Sequence, residues 1–520
     1  MIFDTQHPPA GTVRDWMDAL ADARGDEISH VFPDTDTAIS WSELRDRAAA
    51  IAMHLAGMGA MRGESVAFMI PNGREAVLAL MGALYGGFRA TPINLAAGAE
   101  AIGHAITHSR ARILLCDHRQ RMLLAETLKG RHAAPVVVDV AADFDWPATA
   151  QPRALDTLGS DDDALLMYTS GTTGRPKGVL HSHASLLAGG WNTALAHALM
   201  PQDRAMCVLP IYHINGLCVT ILAPLLSGGS AIVCEKFSAS QFWGLCQTHG
   251  ATWFSVVPTI ISHLLHGAAE PTSDCLNAMR FGRSASAALA PEVHSAFETR
   301  FGIPIIETMG LTETAAQILS NPLPQHGTRK VGSPGCPVGN EVVILSPDLA
   351  EAPRGTEGEI AVRGANVMRG YLDDPAATRA AITADGWLRT GDLGRQDAEG
   401  YVFVTGRSKE IIIKGGENIS PREIDEALYA HPAVVEAAAF ARPCPRYGET
   451  IEAAVVLHDG SGPDAGELMQ LCETRIGRFK TPDRIHLMSE LPKGPSGKIQ
   501  RLKLAELTTP TPKGESHQTG

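Results

Sequence analysis

The chain contains 520 residues, of which 44% are hydrophobic and 19% are charged, and its formal net charge at pH 7 is −13. The length predicts roughly two to four domains, and the composition is that of a globular protein with a large core. The acidic balance argues against a nucleic acid or an anionic membrane surface as a partner, because either would require a basic face.

The nine cysteines form no CxxC pair and show no metal-ligand spacing. This pattern favours a reducing compartment over a disulfide framework, so we expect a cytoplasmic protein. The segment Met1–Asp4 lacks the charged and then apolar pattern of a signal peptide. No uncharged apolar run approaches about 18 residues, so no membrane span is expected.

Strands and helices alternate from the start of the chain to about Asn340. Helical periodicity predicts a helix over 41–60, whose apolar face consists of Trp41, Leu44, Ala48, Ile51, Ala52 and Leu55. Next in order we expect a strand at Ser65–Ile70, a helix through Ala76–Leu80, and strands at Ala111–Cys116 and Pro135–Val140. This alternation predicts an α/β fold with a mainly parallel sheet.

The pattern changes after Asn340. Short predicted strands at Val342–Leu345, Glu359–Val362 and Tyr401–Val404 are separated by Gly, Pro and Asp turns, which indicates a small β-rich module. A helix that begins at Pro421 and strands at Val434–Ala441 and Ile451–Leu457 then predict a separate α+β domain. We therefore predict a large N-terminal domain over 1–408, a small C-terminal domain over 409–507 and a disordered tail over 508–520.

The segment Tyr168–Gly178 combines four Ser/Thr hydroxyls, three glycines and two cations, directly after the apolar run Ala164–Met167. Glycine lets backbone N–H groups turn toward an anion, while hydroxyls and cations add donors and charge, so the segment has the composition of a phosphate cradle. It is not the P-loop of nucleotide hydrolases, because Pro176 precedes Lys177 and Gly178 follows it. The alternative is a flexible surface loop.

Five further segments carry candidate chemistry, and they occupy 210–216, 307–314, 389–392, 406–409 and 492–501. They place His213 at a strand end, Glu313 after a glycine turn, Asp392 in a compact turn and Lys498 on a glycine-hinged loop. Each alone has a structural explanation: a core histidine, a solvated glutamate, a turn cap or a solvated lysine. Their order along one chain makes these explanations improbable in combination.

Together with the cradle, these segments resemble the AMP-forming adenylate synthetases, which include acyl-CoA synthetases, luciferases and adenylation domains. The resemblance runs from about Ser40 to Leu504. It implies ATP, Mg²⁺ and coenzyme A, and a reaction in which a carboxylate attacks the α-phosphate of ATP and expels pyrophosphate. Such a site needs cations and oriented donors, because negative charge crowds both reactants.

The resemblance also implies the residues that bind the nucleotide. The expected phosphate ligands are Thr169, Ser170, Gly171, Thr172, Thr173, Gly174 and Lys177. Around the adenine we expect Ser286, Ala287, Thr308 and Met309, where the family commonly has Tyr in place of Met309. Glu313 would hold Mg²⁺ and Thr312 would contact a phosphate oxygen, which suits the preference of Mg²⁺ for one or two carboxylates plus phosphates. Asp392 would accept the ribose hydroxyls with help from Arg407.

In the family, the C-terminal domain is mobile and supports two steps in turn. Lys498 would bridge the carboxylate and the α-phosphate in the first step, as a compact charge on a long stem. For the second step the domain would swing about a hinge at Lys409, and Gly415 and Gly416 would line a tunnel for the pantetheine arm of CoA. His213 would gate the acyl pocket.

Three segments, 283–291, 320–324 and 330–339, resemble the plant and fungal oxalyl-CoA synthetases. This narrows the expected substrate to a short dianionic acid such as oxalate, sulfoacetate or malonate, with Ser286, His213 and Asn215 as donors to the second anionic group. The alternatives are a medium-chain or aromatic acid, or the loading of a carrier protein by a stand-alone adenylation enzyme. An inactive relative that only binds is disfavoured by the intact Lys177, Glu313, Asp392 and Lys498. We expect a monomer or a homodimer.

Overall fold

The computed structural model describes residues 4–129, 135–140, 151–169, 176–267, 269–458, 462–494 and 499–508. These residues form two compact units: the first comprises the described residues up to Leu289 and Val293–Val404, and the second comprises Ala290–Glu292 and the described residues from Thr405 onward. The predicted tail over 508–520 lies, apart from Thr508, outside the described residues. Within the described ranges, no helix combines the length and the apolar character that crossing a bilayer requires.

Two large sheets organise the first unit. The strands are, in chain order, β1 Ile28–Phe32, β2 Thr37–Ser40, β3 Ser65–Met69, β4 Arg89–Pro92, β5 Ile113–Cys116, β6 Val136–Asp139, β7 Asp163–Thr169, β8 Lys177–Ser182, β9 Arg204–Cys207, β10 Ser230–Val233, β11 Trp253–Val256, β12 Phe281–Ser284, β13 Ile305–Leu311, β14 Ala316–Ser320, β15 Cys336–Pro337, β16 Glu341–Leu345, β17 Gly358–Arg363, β18 Gly370–Tyr371, β19 Leu388–Gln396 and β20 Val402–Arg407. One sheet has the order β15-β14-β13-β12-β11-β9-β10-β1-β2, and the other has the order β18-β8-β7-β4-β3-β5-β6.

Helices connect these strands. They are α1 Val13–Arg24, α2 Trp41–Gly57, α3 Arg74–Gly86, α4 Ala99–His108, α5 Arg121–Leu128, α6 His183–Ala196, α7 Ala223–Ser227, α8 Phe242–His249, α9 Pro258–His266, α10 Ser273–Ala278, α11 Pro291–Phe301 and α12 Pro375–Ala381. A π-helix spans Asn215–Leu222. Neighbouring strands are parallel from β13 to β1 in the first sheet and from β7 to β6 in the second, with antiparallel strands at the edges. The predicted α/β fold with mainly parallel sheets is confirmed.

Local sequence explains these elements well. Strand β3 is buried along its whole length, as expected for a strand covered on both faces of a parallel sheet. Helix α2 begins at Trp41 because the Ser40 side chain accepts a hydrogen bond from the N–H of Glu43, and all six predicted apolar positions are buried. One hydrophobic cluster contains residues of α1, α2, α3, α6 and α7 and of strands in both large sheets. The core of this unit therefore lies between the two sheets.

The predicted β-rich module is also confirmed. Strands β16, β17, β19 and β20 form a four-stranded sheet in the order β16-β17-β19-β20. The second unit contains β21 Ile412–Lys414, β22 Glu417–Ile419, α13 Pro421–Tyr429, β23 Val434–Cys444, β24 Gly448–Leu457, α14 Ala465–Ile476, β25 Arg484–Leu487 and α15 Arg501–Leu507. Its strands form a sheet in the order β22-β21-β24-β23, with β25 paired to β24, which is the predicted α+β arrangement.

Candidate active site

The candidate phosphate cradle connects the two strands of an antiparallel hairpin. Thr169 ends β7 and Lys177 begins β8, and the two residues are register partners. The predicted phosphate ligands Ser170, Gly171, Thr172, Thr173 and Gly174 lie outside the described residues. The described part of the hairpin therefore positions Thr169 and Lys177 at the two ends of the predicted cradle.

Lys177 is linked to Glu313 by Tyr371, a residue for which the sequence indicated no role. The Lys177 Nζ lies 4.7 Å from the centroid of the Tyr371 ring. The Tyr371 hydroxyl donates a hydrogen bond to Glu313 Oε1 at 2.9 Å. Burial and the Glu313 carboxylate raise the pKa of Tyr371, so its hydroxyl stays protonated and remains a donor. One aromatic side chain thus orients both the cradle lysine and the candidate metal ligand.

Glu313 lies in a single 3₁₀ turn, Thr312–Thr314, directly after β13. The predicted glycine turn before it is wrong, because Gly310 is inside β13, at a register shift in the pairing with β14. Gly310 is required there by close approach: an added Cβ would lie 1.8 Å from the Ala316 carbonyl oxygen. The strand, rather than a turn, delivers Thr312 and Glu313 to the site.

The main chain at Thr312 is held by a buried histidine. His181 Nε2 lies 2.6 Å from the Thr312 carbonyl oxygen, and His181 Nδ1 lies 3.0 Å from Ser185 Oγ. Burial lowers the pKa of His181 to about 4, so the ring is neutral. A neutral ring that donates from Nε2 to the carbonyl must accept at Nδ1, which the Ser185 hydroxyl satisfies.

The predicted adenine residues meet at the ends of two parallel strands. Ser284 of β12 and Glu307 of β13 are the last register partners of the parallel pair, so Ser286 and Ala287 follow the end of β12 while Thr308 and Met309 follow Glu307 within β13. The Thr308 hydroxyl donates to the Ser284 carbonyl at 3.2 Å, which ties the two ends together. Carboxyl ends of parallel strands are the usual ligand sites of open α/β sheets.

His213 lies between the end of β9 and the π-helix, and Asn215 is the first residue of that helix. The His213 ring is half-buried against Tyr212, with a centroid distance of 4.9 Å. Asn215 begins the π-helix, and its side-chain Nδ2 donates to Ser286 Oγ at 3.3 Å. Ser286 has a φ of 74°, an unusual value for a residue other than glycine. The structure therefore places two of the three predicted anion donors, Asn215 and Ser286, in direct contact.

Asp392 lies within β19 and is 8% exposed. The predicted compact turn at 389–392 is wrong: the segment is a strand with a register shift against β17, where Gly391 has a φ of 74°. The Gly391 N–H donates to Glu359 Oε1 at 3.0 Å, and the Asp392 N–H donates to Thr390 Oγ1 at 3.1 Å. The register shift is a β-bulge in β19, and these two hydrogen bonds fix the backbone that carries Asp392, the candidate ribose ligand.

The remaining candidates belong to the second unit. Arg407 and Lys409 are exposed. Gly415 and Gly416 form the two-residue turn of the β21–β22 hairpin, with φ values of 61° and 88°. Such a turn requires positive φ at both positions, and this requirement alone accounts for the two glycines, without a role in a tunnel. No described atom lies within 4 Å of a Cβ added at Gly416, so the tunnel role stays a prediction. Lys498 lies outside the described residues.

Comparison with known proteins gives a consistent result over most of the chain. The profile of AMP-binding enzymes matches residues 17–372, and that of the AMP-binding enzyme C-terminal domain matches residues 423–498. The chain is 46% identical over 477 residues to the sulfoacetate–CoA ligase of Cupriavidus necator, which covers 91% of this chain and 93% of that protein. It is 35% identical to the oxalate–CoA ligase of Arabidopsis thaliana, with coverage of 89% and 92%. ATP-bound MatB from Rhodopseudomonas palustris superposes with a TM-score of 0.87 at 30% identity, covering 96% and 99% of the two chains.

Proposed function

The chain belongs to the AMP-binding enzyme family and is an acid–thiol ligase of the AMP-forming class; we propose that it joins CoA to a short, dianionic carboxylic acid. The observation that carries the substrate class is the hydrogen bond from Asn215 to Ser286, which is itself one of the predicted adenine residues. An apolar or aromatic acid needs an apolar wall at this place, whereas a second anionic group needs hydrogen-bond donors. The names of the two ligases reported above support the same class of acid.

The first step is the attack of a carboxylate oxygen on the α-phosphorus of ATP, which breaks the bond to pyrophosphate and leaves an acyl-adenylate. We assign Thr169, Lys177 and the residues 170–174 to the phosphates that depart. Thr308 and Met309 flank the base together with Ser286 and Ala287, and Met309 offers a soft, polarisable contact in place of an aromatic ring. None of these groups is a covalent nucleophile, so the rate enhancement derives from positioning and charge stabilisation.

The donor set around Glu313 fits a magnesium ion. Tyr371 occupies Oε1, so the other carboxylate oxygen is the candidate metal ligand, and Thr312 stands next to it for a phosphate oxygen. A site with one protein carboxylate suits Mg²⁺, which keeps water and phosphate ligands. When bound, the ion would neutralise charge on the phosphates.

We assign Asp392 to the ribose hydroxyls, with Arg407 to assist, and Lys498 to the carboxylate and α-phosphate. For the second step, in which a thiol attacks the acyl carbon and displaces AMP, we assign the hinge to Lys409, the thiol path to Gly415 and Gly416, and the gate of the acyl pocket to His213. The domain limits that we propose are 1–408 and 409–507, with the hinge at the start of the second.

We also propose that the reaction takes place in the cytoplasm. All nine cysteines are free thiols, and seven of them are buried, which suits a reducing compartment. For the assembly we propose a monomer or a homodimer, which the molar mass in solution tests directly.

The test of the substrate class is a pyrophosphate-release screen over oxalate, malonate, sulfoacetate, acetate, benzoate and hexanoate. We expect a short dianionic acid to give the highest kcat/KM. A clear preference for hexanoate or benzoate would contradict the proposal and favour a medium-chain or aromatic acid. A parallel thioester assay that offers either CoA or a carrier protein as the thiol separates the ligase from a stand-alone adenylation enzyme.

A further inference from the structure

A buried arginine lies behind the contact between Asn215 and Ser286. Arg283, in β12, is only 1% exposed. Its Nη1 donates to Asn215 Oδ1 and to Ser255 Oγ, both at 2.9 Å, and its Nε donates to Gln317 Oε1 at 3.2 Å. All three partners are neutral, so these hydrogen bonds leave the charge of the guanidinium unbalanced.

Among the described residues, no carboxylate is hydrogen-bonded to the Arg283 guanidinium or shifts its pKa. Burial lowers the pKa of Arg283 to about 9, which leaves it protonated at neutral pH. Burial raises the pKa of the nearby Cys218 thiol to about 12, and burial lowers the pKa of His197 well below its usual value. Both of these neighbours are therefore neutral, and the region keeps a net positive charge.

Another arginine next to the same strand shows how this fold balances such a charge. Arg280 immediately precedes β12 and forms an ion pair with Asp203, which is 3% exposed. A carboxylate is thus present at the neighbouring position, whereas Arg283 is held by two amides and a hydroxyl. An uncompensated buried cation costs several kcal/mol, so a site that keeps one has a use for it.

The orientation of Asn215 follows from the chemistry of Arg283. A guanidinium has donors only, so Asn215 must present its oxygen to Arg283 and its amide nitrogen to the opposite side. The nitrogen donates to Ser286 Oγ, which frees the Ser286 proton to donate onward. Ser286 is partly exposed, and the two alanines that follow it are exposed. The donors therefore all point one way, from the buried charge to an accessible surface.

We propose that Arg283, Asn215 and Ser286 form a donor relay that recognises the second anionic group of the acid, a carboxylate or a sulfonate. Arg283 is a positioning residue that acts through Asn215, and its charge selects a dianionic acid over a monoanionic acid of the same shape. This inference rests on the proposed function and adds the residue that decides the substrate class. Asn215 is the link, because it contacts both the buried cation and the exposed hydroxyl.

The test uses pairs of acids that differ in charge and little in shape: sulfoacetate with methylsulfonylacetate, and oxalate with oxamate. The readout is the charge preference, which is the kcat/KM of pyrophosphate release for the dianion divided by that for the monoanion. We expect Arg283→Met to lower this preference by about tenfold or more, equivalent to ~1.4 kcal/mol. The loss should appear in the KM of the dianion and not in the KM of ATP, and Arg283→Lys should restore part of it.

Two further variants make the test decisive. Arg280→Met removes the compensated arginine next to the same strand, and we expect it to leave the charge preference unchanged. Asn215→Asp puts a carboxylate on Arg283, so the protein should fold with an internal ion pair and lose its charge preference. If Arg283→Met does not fold, the charge preference of Asn215→Asp tests the relay in its place.

Three outcomes are distinguishable. A wild-type enzyme that prefers the monoanion of each pair, or an apolar acid, contradicts the proposed function itself. A wild-type enzyme that prefers dianions, together with Asn215→Asp and every folded Arg283 variant retaining that preference within about twofold, overturns the relay and leaves the function standing. Loss of the preference in Arg280→Met to the same extent would also overturn it, because the effect would then be structural.

Discussion

Removal of the Tyr371 hydroxyl provides a sharp test of how the candidate metal ligand is held. Tyr371→Phe deletes the donor to Glu313 Oε1, 2.9 Å away, and keeps the ring that lies 4.7 Å from Lys177 Nζ. The substitution therefore separates the effect on the carboxylate from the effect on the lysine. A leucine at this position would remove both.

The expected magnitude follows from the type of hydrogen bond. A bond to a charged acceptor contributes about 1.5–3 kcal/mol, and a partly buried pair such as this one belongs at the lower end. Since ~1.4 kcal/mol corresponds to a factor of ten, we expect about a tenfold increase in the Mg²⁺ concentration needed for half-maximal activity. Saturating Mg²⁺ should recover most of the rate, because the carboxylate itself remains.

The assay is pyrophosphate release over a Mg²⁺ titration at saturating acid. Tyr401→Phe is the matched control: its ring lies 4.5 Å from Lys330 Nζ and its hydroxyl donates to the Thr328 carbonyl, away from Glu313. We expect this control to lower thermal stability without a change in the Mg²⁺ requirement. If Tyr371→Phe behaves like the control, the role of the hydroxyl in holding Glu313 is refuted.

Three other predictions concern the roles proposed for Lys498 and Lys409 and a buried ion pair. Lys498→Ala should block adenylate formation and spare thioester formation from a supplied acyl-adenylate; equal loss of both steps would refute its role. Lys409→Pro should spare adenylation and slow thioester formation, and an unaltered second step would remove Lys409 as the hinge. Burial alone lowers the pKa of His294, but hydrogen bonds with Glu298 and Glu307 raise it to about 9 from 6.5, so the stabilisation is complete below pH 6.5 and is lost as the pH rises through 9. The melting temperature of the wild type should therefore fall more than that of His294→Gln between pH 7 and pH 10. The loss in unfolding free energy from this group is about 3 kcal/mol at most. An equal fall of melting temperature with pH in the two proteins would contradict the raised pKa.

Local patterns were sufficient for most of the secondary structure. The periodicity of 41–60 predicted the buried face of α2, and the apolar run at Ser65–Ile70 predicted β3, because each pattern depends on neighbours along the chain. Gly310 and Gly391 were assigned wrongly to turns. A glycine in a bulge and a glycine in a turn look alike in sequence, and only the partner strand, which brings the Ala316 carbonyl against Gly310, distinguishes them.

The candidate site likewise contains residues that the sequence could propose and contacts that only the structure shows. Glu313, Asp392 and Lys177 could be proposed as ligands because each lies in a local segment that resembles a motif of the family. Tyr371 could not be named, because its bond to Glu313 joins residues 58 positions apart and depends on the pairing of β18 with β8. Neither could the charge of Arg283 be connected to Asn215, which lies 68 positions away. The roles of Glu313, Asp392, Lys177, Lys498 and residues 170–174 all stay predictions.

The sequence by itself indicated the class of reaction, because the order and wording of six local segments resemble the AMP-forming adenylate synthetases. Only the tertiary structure showed which side chains contact the candidate ligands from the interior of the protein. The order of strands β11, β12, β13 and β14 sets Ser255 and Gln317 around Arg283, and the π-helix adds Asn215. The energy of a buried charge depends on every group within a few ångströms, and the partners of Arg283 come from three separate elements. The charge that we propose selects the acid therefore became visible only in the folded chain.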